Sequence, residues 1–235
     1  MGTGFLASIP LLDWLALGWF LLAWVGYGWF SEHSRWAGRG LMGASHRFRL
    51  QWARQLLTRE LRMTDAALVG NLMQSVSFYA NTTIYIIAGL LAVLGTLDQV
   101  IRFAADLPFA REASRELTEL KLVLLLTVFV VAYFKFTWAL RQFNLLSILI
   151  GASPVLADGA HAESAAHRLG TVNSLAGDEF NRGIRSYYFG LAAVAWFLQA
   201  WLFLAVTTIV VVVLYRRDFS SPVLATLDEE AAAGE

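Results

Sequence analysis

The sequence predicts an all-α integral membrane protein, a bundle of four transmembrane helices with an amphipathic helix on its inner side. Three observations carry this. Of the 235 residues, 57% are hydrophobic and mean hydropathy is +0.56, while charged residues make up 15% against roughly 25% in a soluble domain. Charge-poor stretches of about the 20 residues that a helix needs to cross a bilayer recur four times. Between them, Lys and Arg gather on one side.

The first span, about 12–31, rests on the 18 uncharged residues between Asp13 and Glu32. Its Trp14, Trp19, Trp24 and Trp29 recur every five residues, which spreads them around the helix as lipid contacts and interfacial anchors. Residues 45–62 form an amphipathic helix. Phe48, Trp52, Leu56 and Leu57 share one arc, and Arg47, Gln51, Arg54, Thr58 and Arg62 the other. Such a helix lies at the inner interface or packs beneath the bundle, although Arg49 intrudes on the apolar arc. The second span, about 66–97, occupies the 32 uncharged residues between Asp65 and Asp98. The third, about 119–150, rests on the stretch Leu122–Leu140, interrupted only by Lys135, and the apolar run Leu145–Ile150 that follows it, and the fourth, about 184–215, holds the 30 uncharged residues between Arg185 and Arg216. At about 1.5 Å per residue the second and fourth stretches reach on the order of 45–48 Å, so they tilt or project from the bilayer. A β-barrel is excluded because runs such as Ile209–Leu214 do not alternate polar with apolar.

Residues 98–120 mix signs and are expected to form a solvated helical hairpin. Residues 216–235 are acidic and unpatterned and are expected to be disordered. A single membrane domain, 1–215, is therefore followed by a tail.

Twelve of the 18 Lys and Arg fall on the side of the loop between the first two spans, and six on the other. By the positive-inside rule the Arg-rich loops are cytoplasmic and both termini lie outside a plasma membrane, the inner membrane in a bacterium. The overall charge of zero then separates into about +5 inside and −5 outside. That zero offers nothing to nucleic acid. With no Cys there is no disulfide scaffold, thiolate metal site or catalytic thiol. No Gly-rich phosphate loop, nucleophile elbow or zinc helix occurs, so no cofactor or metal is expected. His161 and His167, with Asp158 and Glu163, match no strong metal spacing.

Two sets of polar residues are candidates. In the second span Asn71, Gln74, Ser75, Asn81 and Thr82 recur at helical spacing on one face. Amides in lipid without partners cost several kcal/mol, so that face either lines a pathway or hydrogen-bonds between helices. Near the inner surface, Lys135, Arg141, Arg182 and Arg185 either form a basic mouth for an anion or lipid phosphate, or are anchors paired with Asp178 and Glu179.

Three blocks resemble the domain of unknown function 599 family of multi-pass membrane proteins. They are Gly70-Asn71-Leu72-Met73 with Ser75 to Phe78 and Asn81-Thr82-Thr83; Lys135-Phe136-x-Trp138-x-x-Arg141-Gln142-Phe143-Asn144 leading to Ile150-Gly151-Ala152-x-Pro154; and Asn181-Arg182-Gly183-x-Arg185-x-Tyr187-Tyr188-Phe189. The resemblance covers roughly residues 10–215 and implies a four-span membrane protein without a particular activity. It adds Asn144 to the candidate anion- or lipid-phosphate-binding residues.

Together these readings lead first to a homo-oligomeric channel or transport pathway for small anions. The alternative is a non-catalytic accessory or scaffold subunit that binds another membrane protein. An enzyme is the least favoured reading, because every carboxylate falls at or beyond a span end.

Overall fold

The computed structural model describes residues 9–99, 101, 114–155 and 159–233. The architecture is all-helical, with no strand among the described residues. Helix α1 (Leu11–His33) starts behind Pro10, whose ring fixes φ at −57° and opens the first turn. A 3-10 turn (Ala37–Arg39) leads to α2 (Leu41–Thr58), and α3 is Met63–Gly95. Helix α4 (Arg115–Ala152) is capped by Ser114, whose hydroxyl accepts the Leu117 N–H at 3.2 Å. It stops because Pro154 holds Ser153 extended, at ψ 129°. Helix α5 (Ala160–Ala195) begins after Gly159, whose φ of +109° only glycine adopts without strain. Helices α6 (Ala200–Phe219) and α7 (Pro222–Ala233) complete the chain.

Helices α4 and α5 form an antiparallel hairpin of about 57 and 54 Å, well beyond a ~30 Å hydrocarbon core. Glycines along α5 let its neighbours approach. Leu50 and Arg49 of α2 lie over Gly170 and Gly177, and Phe136 and Phe129 of α4 over Gly183 and Gly190. Two apolar cores are strung along the hairpin. One joins α1, α6 and the adjoining halves of α4 and α5 through Phe20, Val128, Phe189, Trp196 and Phe203. The other joins α2, the first half of α3 and the remaining halves of α4 and α5 through Leu57, Val69, Val76, Phe136 and Phe143. Their largest side chains are fully buried. Tyr187 packs against both.

Four stretches are long and apolar enough to cross a membrane, Leu11–His33, Met63–Gly95, Arg115–Ala152 and Ala200–Leu227. The first three agree in place with the sequence reading. The fourth differs, because residues 184–215 are not one span. The chain turns at Trp196–Gln199, where Gln199 is extended, and α6 runs back beside α1. Trp196 makes the turn by burying itself, stacking on Phe203 at 4.9 Å and donating its indole N–H to Asp13 at 2.7 Å. The described residues thus pass along the bundle five times, α5 being a more polar pass shielded by its neighbours.

This turn also moves the C-terminal segment. Tyr27, near the end of α1, donates to Asp218 at 2.6 Å, and Gly40 packs on Asp218 and Phe219. The described chain therefore begins and ends at opposite ends of the bundle, contrary to the expectation that both termini share a side. The expected disordered tail is instead the end of α6 followed by α7, which is initiated by Ser221, whose hydroxyl accepts the Leu224 N–H at 3.2 Å, and by Pro222 in the first turn. Most of the expected hairpin at 98–120, residues 102–113, lies outside the described residues.

The amphipathic helix is α2, lying along α5 with Leu56 and Leu57 buried and Trp52 half-buried.

Candidate functional site

Between the two cores lies a layer of charge. Glu32, at the end of α1, accepts from Arg182 Nε and Nη2, both at 2.8 Å, in a bidentate pair. It also accepts from Arg185 Nη2 at 2.8 Å, while the Arg185 Nη1 donates to Ser31. Glu179, one turn before Arg182 on α5, accepts from Arg182 and lies 3.1 Å from Lys135 of α4. Helix spacing puts Glu179, Arg182 and Ser186 on one face of α5, and Arg185 beside it reaches the same carboxylate. Glu179 and Arg185 are buried, while Arg182 and Lys135 keep about a third of their side chains exposed, 33% and 37%. Three cations therefore meet two carboxylates in one connected network.

Beyond this layer the arginine-rich half is also tied together by polar contacts. Arg49, which seemed misplaced on the apolar arc of α2, fills the notch at Gly177 and donates to the carbonyls of Asn173 and Ser174 at 2.9 and 3.1 Å. Burial lowers the pKa of its guanidinium, and the nearby Asp178 opposes that shift. His46 Nε2 lies 2.8 Å from Asp178. Asp65, fully buried, accepts from the Trp52 indole and from Arg59, both at 2.7 Å. Arg62 caps the end of α4 by donating to the carbonyls of Ile150, Ser153 and Pro154.

The candidate residues divide sharply. Lys135, Arg182 and Arg185 come together, but as members of the ionic layer; each bonds Glu32 or Glu179, which offset two of the three charges, and they do not form an open basic mouth. Of the two partners expected, Glu179 is there and Asp178 binds His46 instead. Arg141 and Asn144 are exposed on α4, away from that layer, with the Arg141 guanidinium 5.6 Å over the Trp138 ring. Arg141 is therefore not part of the mouth.

The polar stripe of α3 faces outward. Asn71, Gln74, Ser75 and Asn81 are exposed and Thr82 is half-buried. The buried residues of α3 are Asp65, Val69, Val76, Ala80 and Thr83, on the opposite side. The hydroxyls of Ser75 and Thr82 turn back onto the Asn71 and Phe78 carbonyls of their own helix, at 3.1 and 2.8 Å. The amides of Asn71, Gln74 and Asn81 therefore present the polar character of this face outward from the bundle. On the inner side of the same helix, Thr83 reaches α5, at 2.7 Å from the Tyr187 hydroxyl.

His161, Glu163 and His167 lie along the first turns of α5, and Asp158 lies outside the described residues. Among the described residues no group of three His, Asp or Glu side chains is placed to hold a metal. Sequence reading missed Glu32, the centre of the ionic layer, and the glycine series at 170, 177, 183 and 190 that admits α2 and α4.

A family model described as "Protein of unknown function, DUF599" matches residues 15–223. No curated protein and no solved structure matches the chain. The family match runs from α1 into α7 and so takes in both cores, the ionic layer and the outward face of α3. This all-helical chain, with four stretches apolar enough to cross a membrane, belongs to the DUF599 family.

Proposed function

We propose that the protein is a homo-oligomeric membrane bundle in which the outward face of α3 forms a pathway for small anions between subunits. One observation carries this reading: Asn71, Gln74 and Asn81 are exposed on a helix long and apolar enough to cross a membrane. Amides facing hydrocarbon cost several kcal/mol, and a second copy or a water-filled lumen removes that cost. The preference for anions rests on the overall field, because Lys135, Arg182 and Arg185 are internally paired. With the C-terminal segment placed at the arginine-rich end, 14 of the 18 Lys and Arg and 12 of the 18 Asp and Glu belong to that end, which leaves it at about +2 and the other at about −2. Such a surplus concentrates anions at one mouth. By the positive-inside rule it also makes that end cytoplasmic in a plasma or bacterial inner membrane, with the start of α1 outside.

The second reading is a non-catalytic accessory or scaffold subunit whose α3 face binds another membrane protein. The internally paired ionic layer favours it, since cations bonded to carboxylates hold helices and leave less for a passing ion.

Full-length protein in uncharged detergent, sized by light scattering and then reconstituted for chloride flux, separates the two. A stable oligomer whose flux and assembly both fall in Asn81→Leu supports the pathway. A monomer without flux that co-purifies with one fixed membrane partner replaces it with the scaffold.

A further inference from the structure

The tip of the α4–α5 hairpin, at the arginine-rich end, holds a cleft of about 400 Å³, within the range of small-molecule sites. One wall is α5, where His161, Ser164 and Arg168 follow one another at helical spacing; Leu149, Ala165 and Leu169 make an apolar floor. The polar groups of this wall differ from the other cations nearby. Arg54 is bound to Glu163, and Arg62 to the carbonyls that end α4. Among the described residues, neither Arg168 nor His161 has a carboxylate within ion-pair distance. Helix α5 starts at Gly159, two residues before His161, without a side-chain cap, so its first N–H groups add partial positive charge at the His161 end of the wall.

We propose that this cleft binds a phosphate monoester that carries an apolar group. The Arg168 fork, the His161 imidazole and the Ser164 hydroxyl offer donors from three side chains, which suits the three oxygens of a monoester better than the two of a carboxylate. The floor accounts for the apolar group. The end of α4 lies 17 residues beyond Lys135, about 25 Å along the helix, so the cleft opens well past the ionic layer.

The test is calorimetric titration of phenyl phosphate into the full-length protein in uncharged detergent. Saturable binding at one per chain is expected, at least tenfold weaker in Arg168→Ala and in Ser164→Glu, and unchanged in Arg35→Ala, an exposed loop cation. Ser164 and Arg168 are both exposed, so these variants fold. Inorganic phosphate should compete more weakly, because it leaves the floor empty. Displacement by micellar dioleoyl phosphatidic acid below the phenyl phosphate concentration makes a lipid headgroup the source of the phosphate, and displacement only above it makes a soluble ester the source. Absence of saturable binding, equal affinity in Arg168→Ala, or an equal loss in Arg35→Ala overturns the proposal.

Discussion

Replacing Gly183 by Ala tests the contact on which the hairpin and its ionic layer depend. A Cβ at this position would lie 2.4 Å from Cε1 of Phe136, 2.7 Å from Cδ1 and 2.8 Å from Cζ. Carbon atoms in ordinary contact sit about 3.5–4.0 Å apart, so the ring must withdraw by about 1 Å. It has nowhere to go: Phe136 is fully buried, stacked on Tyr79 at 5.6 Å and flanked by Tyr187 and Phe180 at 5.7 and 5.8 Å. Overpacking of this kind costs about 1–3 kcal/mol, against which the better helix propensity of Ala returns up to ~1 kcal/mol. Gly183→Ala should therefore destabilise by about 1–2 kcal/mol. At Gly70 and Gly89 of α3 a Cβ meets nothing within 4 Å, so Ala there should be neutral or stabilising by up to ~1 kcal/mol. Denaturant unfolding in mixed micelles, followed by far-ultraviolet circular dichroism, reads the difference in sign. Adding Phe136→Leu to Gly183→Ala should recover part of the loss, a coupling that a double-mutant cycle isolates. If Gly183→Ala is as stable as the parent, or gains as Gly70→Ala does, α4 and α5 do not meet here and the placement of Lys135 beside Glu179 fails with it.

Glu32→Gln removes the carboxylate shared by Arg182 and Arg185. Because Arg182 keeps Glu179 and is partly solvated, the expected loss is about 2–3 kcal/mol in the same unfolding assay, at the low end for a broken buried pair. Arg54 bonds Glu163 at 2.7 and 3.0 Å and holds its carboxyl below the usual carboxylate range. A carboxylate with a lowered folded pKa adds stability above its unfolded value, 4.5, and loses it as pH falls through the folded one. The parent should therefore lose stability relative to Glu163→Gln on acidification below 4.5, and parallel pH profiles would show that the pair contributes nothing. The chain has no native Cys, so single cysteines report topology directly. Leu11→Cys and Ser221→Cys should label from opposite faces of sealed vesicles, and labelling from one face would contradict the five passes.

How much was legible depended on whether the cause was local. Lipid imposes its requirement stretch by stretch, so the first three spans could be read from missing charge between Asp13 and Glu32, between Asp65 and Asp98, and around Lys135. The turn at Trp196–Gln199 could not, since Ala195-Trp196-Phe197-Leu198 contains no glycine, proline or charge. It is made by contacts with Phe203 and Asp13, the latter 183 positions away. Helix α7 did carry a local sign, Ser221 followed by Pro222, which the acidic composition of the segment obscured. At the candidate site, Glu179 was visible as a partner because it lies one turn from Arg182, whereas Glu32 is 150 positions away. Arg49 was the informative anomaly. A cation on an apolar arc marked the place where α2 meets an uncovered stretch of α5 backbone at Gly177.

Apolar cores resist separation of helices better than they resist sliding along a common axis, because one Leu or Ala exchanges for the next at little cost. A slide of α1 by one turn, about 5.4 Å, would leave Phe20 among other rings but would strand Glu32 away from Arg182 and Arg185. The charged layer thus acts as a detent that sets the axial position of α1 on the α4–α5 rod. A force applied at the hairpin tip would be transmitted to α1 as a rigid displacement until that detent is overcome.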